Sequence, residues 1–333
     1  MAQHNNIQHT AQECIRMIKK VEFDRLGISE YNLKYINHLL PVLDYYFKIY
    51  IDAIERLVEK TDGYTGWVVD FGGGHGFLSV FLKQLGFKVI YCDINPLSVN
   101  TVRALKEKLS CGPDVEITGS TDELLDYCRR HQLPPDYLIS TDLIEHVYDL
   151  NQFFSQLRQL NPGMEMVFTT ASNPYNFRKA KYLRKLMLYT ENEFFLPSRK
   201  EYIEKNYPEL MQVQKDELSV KTRGLIFQDI NSYVETYIAT KDFPRRNIDP
   251  YNTCDPQTGN WMERILPIPE YRRICNSHQY SLTIHNGFYN AHRKHWLFSL
   301  VAFALNLLIR YGGLLGRCFA PFITLKVIPS SSK

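Results

Sequence analysis

A chain of 333 residues, 44% apolar and 23% charged, is long enough for one large domain with an insertion or for two smaller ones, and its balance is that of a soluble globular protein. Its seven cysteines (Cys14, Cys92, Cys111, Cys128, Cys254, Cys275 and Cys318) form no C-x-x-C pair, which argues for a reducing compartment and against a zinc site; the polar start MAQHNNIQHT lacks the regions of a signal peptide, so a cytoplasmic location is expected. The net charge of +3 is uneven: Tyr271 to Lys333 contain no Asp or Glu but eight cations (Arg272, Arg273, Arg293, Lys294, Arg310, Arg317, Lys326, Lys333), a pattern that suits a membrane surface or another anionic partner.

Residues up to about Lys60 read as helices. Ser29 can cap one carrying Tyr31, Leu33, Tyr35, Ile36, Leu39 and Leu40, and Pro41 begins or kinks another carrying Leu43, Tyr46, Phe47, Tyr50, Ile54 and Leu57. The apolar run Trp67 to Val69 then predicts a buried parallel strand, which leads into VVDFGGGHGF, an acid and four glycines followed by a helix that Gly86 ends. Glycines suit such a turn because it needs positive φ and because a ligand can approach a backbone that bears no β-carbon. A dinucleotide-binding turn would read G-x-G-x-x-G, and here Phe77 and Ser79 stand where the last glycine would fall, which disfavours a nicotinamide oxidoreductase.

What is present is acid-x-G-x-G-x-G: Asp70, Gly72, Gly74 and Gly76. This resembles the first motif of the Rossmann-like S-adenosylmethionine-dependent methyltransferases. The resemblance implies an α/β fold, a seven-stranded sheet with helices on both faces, and S-adenosyl-L-methionine as the cofactor held by this turn.

The next strand, Lys88 to Asn95, carries Asp93 about twenty residues beyond the turn, where a carboxylate can accept both ribose hydroxyls or, alternatively, cap the helix that follows. VEITGS, Val115 to Ser120, predicts a third strand. Asp122 after it can accept from the adenine amino group or serve the first turn of a helix. The fourth strand opens DYLISTDLIEHVYDL and brings Asp142, Glu145 and His146 to the same sheet end as the glycines, where open α/β sheets bind ligands. D-x-x-E-H-V resembles the fourth motif of a methyltransferase group that includes the ubiquinone-pathway O-methylases of polyprenylated hydroxyphenols. That resemblance implies His146 as a general base for an oxygen acceptor and associates the acid, acid and histidine set with a divalent cation. The alternative for His146 is packing against the cofactor or a helix.

After a Pro-Gly turn the fifth strand, Met164 to Thr170, ends in a polar loop that makes Asn173 and Tyr175 substrate-facing candidates. From Phe177 to about Ile274 the strand and helix rhythm stops, which predicts an inserted lid; its loop around Trp261, Glu263 and Arg264 is dense in Pro, Gly, Asn and Asp, and Trp261 is the substrate candidate there. Tyr280 to Asn290 and Phe322 to Ser330 predict the closing antiparallel strand pair. Between them, Trp296 to Ile309 spans about 21 Å as a helix against a hydrocarbon core of ~30 Å, so it fits an interfacial or shallow hairpin anchor flanked by His292, Arg293, Lys294 and His295 and by Arg310 and Arg317, the alternative being a buried helix packed on the sheet.

The expected division is a helical cap over 1–60, a cofactor-binding core over 61–176, a substrate lid over 177–275 and a strand pair with an apolar, basic insertion over 276–333. The expected partner is a small-molecule or lipid-linked acceptor, with peripheral contact at the inner face of the membrane and no nucleic acid, because the N-terminal two thirds and the lid are read as carrying no basic, aromatic-interleaved stripe and the positive end coincides with the apolar run. The alternative is a membrane-associated protein that binds the cofactor without transferring from it.

Overall fold

The computed structural model describes residues 2–58, 65–246, 249–291 and 295–330. The boundary expected near residue 60 lies outside these residues, as do His292, Arg293, Lys294 and Lys333. Three helices come first, α1 (Ala2–Lys19), α2 (Glu30–Leu39) and α3 (Leu43–Val58). Ser29 caps α2 by accepting from Asn32 N at 3.2 Å, and Pro41 sits in a short turn that leads into α3.

Strands and helices then alternate: β1 (Trp67–Phe71), α4 (Phe77–Leu85), β2 (Lys88–Asp93), α5 (Pro96–Leu109), β3 (Val115–Thr118), α6 (Thr121–His131), β4 (Tyr137–Thr141), α7 (Leu150–Leu160) and β5 (Glu165–Thr170). A helical stretch follows, α8 (Phe177–Thr190), α9 (Leu196–Asn206), α10 (Gln212–Lys221), α11 (Phe227–Thr240) and α12 (Ile268–Ser277). The chain returns as β6 (Tyr280–Asn286), α13 (Trp296–Tyr311), α14 (Gly313–Phe319) and β7 (Ile323–Pro329).

The seven strands form one sheet in the order β3-β2-β1-β4-β5-β7-β6, parallel except for β7, which runs antiparallel between β5 and β6. This is the α/β sheet that the strand pattern predicts. Side chains alternate across it with period two. Val68, Val89, Ile139 and Val167 face α1, α3 and α4, where Phe47 meets Phe81 at 5.2 Å, while Val69, Ile90, Leu138 and Met166 face α6, α7 and α12. Strand order reverses between β1 and β4, so a crevice opens beyond their carboxyl ends.

In the helical stretch after β5 the main polar anchor is buried. Arg199 is fully enclosed and pairs with Glu191, whose other oxygen accepts from Thr253 Oγ1 at 2.6 Å.

Candidate functional site

The glycine turn hangs from the ends of β1 and β2. Gly72 N donates to Cys92 O at 2.7 Å, and Gly72, Gly74 and Gly76 all have positive φ. Their surroundings differ. A β-carbon on Gly72 would lie 2.1 Å from Leu143 Cδ1 and one on Gly76 2.5 Å from Val102 Cγ2, so these two glycines permit packing. Above Gly74 there is nothing within 4 Å, and this open cradle is where a ligand can meet bare backbone.

Asp93 completes the cradle. Its Oδ2 accepts from Gly74 N at 2.9 Å and its Oδ1 from Asn95 N at 2.8 Å. The helix-capping alternative does not hold for it, because Asn95 Oδ1 caps α5 by accepting from Leu97 N at 3.0 Å. Each Asp93 oxygen keeps acceptor capacity, and the residue lines a cavity of about 180 Å³ with Gly72, Ser120, Leu143, His146 and Tyr148. Burial raises the Asp93 carboxyl above the ordinary range, while the two N–H donors pull it down.

Asp70 and Asp122, expected at the cofactor, both hold structural partners, and Asp122 directly follows Ser120 and Thr121, which line the cavity with Asp93. Asp70 is buried beneath the turn and accepts from Ser79 Oγ at 2.6 Å, which pins the start of α4 to β1. Asp122 is exposed on the first turn of α6 and accepts from Gln156, while Glu123 closes a capping box on Ser120. Burial pushes the Asp70 carboxyl up to about 7, with Ser79 opposing and Asp93 adding to the rise. Because the folded state holds this proton more tightly than the unfolded chain, Asp70 costs stability above about pH 7 and the cost fades as the carboxyl protonates in both states. Asp70→Asn should therefore raise Tm above about pH 7 and leave it unchanged below about pH 4, a difference that thermal melts across pH read directly.

Beyond β4 the backbone turns sharply, with Asp142 at φ 52°, a conformation that Asp tolerates better than most residues. Asp142 is surrounded by protein yet open to the crevice, and Glu145 behind it is buried. Desolvation first, then the neighbouring carboxylates, raises both carboxyls. Glu263 belongs to the same group and accepts from Ser172 Oγ at 2.5 Å. Among the described residues no group of three or more His, Cys, Asp or Glu side chains is arranged to hold a metal ion.

His146 is fixed by a segment more than a hundred residues away. Its Nδ1 lies 2.7 Å from Trp261 O, and Trp261 N donates to His146 O at 3.2 Å. A carbonyl only accepts, so Nδ1 carries the proton and a neutral ring keeps its lone pair on Nε2. Trp261 itself is largely buried, stacked on Tyr148 at 6.0 Å and with Arg264 over its ring at 4.9 Å. Its backbone orients His146, while its side chain, expected to face substrate, lines a neighbouring pocket with Tyr148 and Arg264.

Asn173 is likewise consumed by structure. It is 1% exposed and gives both amide hydrogens to Arg317 O and Ala320 O at 2.9 Å, while its Oδ1 accepts from Tyr175 N. Tyr175 is exposed and carries Arg317 over its ring at 5.7 Å. Residues not singled out from sequence complete the site. Tyr148, Thr258 and Asn260 line the cavity, and burial followed by the Asp142 charge raises the Tyr46 phenol of α3. Buried His75 lies against Tyr35 and Phe77 and is held neutral, with burial lowering its pKa to about 3.

Several solved structures resemble the chain in part. TehB from Haemophilus influenzae is 18% identical over 37% of this chain and 40% of its own, with a TM-score of 0.30. The PH0226 protein from Pyrococcus horikoshii OT3 is 23% identical over 44% and 60%, at 0.29. Phosphoethanolamine N-methyltransferase 2 from Haemonchus contortus, solved with S-adenosyl-L-methionine, is 11% identical over 85% and 53%, at 0.43. The chain covers less than two thirds of the length of each. No curated protein matches. A methyltransferase-domain family profile matches residues 42–210, just over half of the chain and the part that carries the glycine turn, Asp93 and His146, so the chain belongs to the methyltransferase-domain family.

Proposed function

We propose that the protein transfers a methyl group from S-adenosyl-L-methionine to an oxygen of a small-molecule or lipid-linked acceptor presented at a membrane surface. The observation that carries this reading is the pairing of Asp93 with an open Gly74: a fixed carboxylate lining a cavity, next to backbone that no side chain covers. These residues fit a sulfonium nucleoside, with Asp93 accepting from the ribose hydroxyls and Gly74 leaving room for close approach. The cofactor supplies an electrophilic methyl group, and the protein's task is alignment.

His146 lines the same cavity with its tautomer set by Trp261 O, so its Nε2 can accept the proton of an acceptor hydroxyl. The substrate side of this reading resembles that of the ubiquinone-pathway O-methylases, which act on polyprenylated phenols.

Titration calorimetry with S-adenosylmethionine and with S-adenosylhomocysteine tests the cofactor site. Both should bind, and Gly74→Val, which fills the open cradle, should give no measurable heat while remaining folded by circular dichroism. Absence of heat from the folded wild-type protein with both ligands would remove the proposal. Formation of S-adenosylhomocysteine with a supplied acceptor separates transfer from binding alone.

A further inference from the structure

The register of the last two strands locates the insertion between them. Ile323, which opens β7, pairs with Thr170 at the end of β5 and with Asn286 at the end of β6. The α13 and α14 pair therefore leaves the sheet at its carboxyl end, the end that bears the glycine turn, Asp142 and His146. It is fastened there: Asn286 Nδ2 donates to Ile309 O at 3.1 Å, Tyr45 Oη to Phe288 O at 2.7 Å, and the Phe288 ring meets Phe322 at 5.4 Å. Asn306, a polar break in the apolar run, turns inward and holds Tyr289 N and O at 2.7 and 2.9 Å.

The rest of α13 faces out. Only Ala302 and Ile309 are buried, whereas Phe298 is 63% exposed, Phe303 55% and, on α14, Leu314 71%. A second helix joins this surface. The Asn176 cap of α8 donates from Nδ2 to Ala320 O at 3.0 Å, beside the two bonds from Asn173, so α8 starts where α14 ends. Its sequence FRKAKYLRKLMLYT holds five cations and no acid and exposes Phe177, Tyr182 and Tyr189, a basic and aromatic face that the sequence reading did not expect in the lid.

We infer that α13, α14 and the outer face of α8 form one docking surface for an anionic lipid bilayer, which turns the mouth of the crevice toward the membrane so that an amphiphilic acceptor enters from the lipid side. This rests on the proposed transfer reaction only for what enters the crevice. Three properties of the surface select the occupant. The apolar residues are flanked by Arg310, Arg317 and the cations of α8, with no Asp or Glu from Tyr271 onward, which complements lipid phosphates. At 16 residues α13 is about 24 Å long, and no described helix is long and apolar enough to cross a membrane, so the helix lies in the interface plane. A second copy of the same face would oppose cation to cation, which disfavours self-association.

Flotation of the full chain with vesicles of phosphatidylcholine and phosphatidylglycerol in equal parts, against pure phosphatidylcholine, tests the inference. The protein should float with the anionic vesicles, less so with the neutral ones and less so at high salt. The double variant F298E/F303E alters exposed positions only and puts two carboxylates into the apolar ridge; its floating fraction should fall at least about tenfold. Its calorimetric affinity for S-adenosylmethionine, measured without lipid, should equal that of the wild type. Wild-type protein that stays down with both vesicle types overturns the inference, as do equal flotation of the variant or a wild-type dimer that the variant dissociates. None of these results bears on the cofactor site, which is read by calorimetry alone.

Discussion

Asp93→Ala is expected to abolish measurable binding of S-adenosylmethionine while the protein stays folded. The carboxylate has two tasks. It tethers the glycine turn through Gly74 N and fixes the start of α5 through Asn95 N, and it offers its remaining lone pairs to the cavity. Hydrogen bonds to a charged acceptor contribute about 1.5–3 kcal/mol each, so loss of two to the ribose amounts to roughly 3–6 kcal/mol. At 1.4 kcal/mol per decade that is a weakening of roughly 10²–10⁴, enough to remove the calorimetric signal. Asp93→Asn keeps the shape and one good acceptor and should fall between. Alanine-variant affinity within about threefold of wild type, less than 1 kcal/mol, would mean that Asp93 serves only the turn.

His146→Ala should do the opposite: retain cofactor binding and slow transfer by about 10²–10⁴, the usual range for removal of a general base. Alanine also strips the Trp261 carbonyl of its partner, so rate loss alone does not isolate the proton-accepting role. His146→Asn separates the two, because an amide can still donate to Trp261 O but has no basic nitrogen. The asparagine variant should be as slow as alanine and lose the acidic limb of the wild-type pH–rate profile. If it regains wild-type rate, His146 acts by holding the 261–264 segment and the base lies elsewhere.

The sheet and its glycine turn were readable in the sequence because their signals are local. An apolar run, glycines at fixed offsets and an acid ending the next strand define the turn and Asp93, and the same alternation marks all seven strands to within a few residues. Chain position did not reveal side-chain direction. Asp70 and Asn173 both sit at or just past strand ends, where ligands gather, yet one points under the turn to Ser79 and the other back to Arg317 and Ala320. Asp122 stands on the first turn of α6, a place that serves the helix start and also adjoins the cavity-lining Ser120 and Thr121. Nor does spacing show that Trp261 reaches back over more than a hundred residues to orient His146, since that contact exists only once β4 and the 261–264 segment have packed together. The apolar run before β7 was recognisable as a helix, but sequence alone allowed it to lie buried on the sheet. Its exposure follows from fastenings at Asn286, Asn306 and Ala320 that hold its base and leave its outer side uncovered.

The two bonds from Asn306 to Tyr289 have a consequence for association rate and affinity. They lock the rotation of α13 about its own axis in the free protein, so its aromatic ridge is preorganised before any contact occurs. Helices that fold only on meeting a partner forfeit several kcal/mol to ordering, and this one arrives with that entropy already lost in the native state.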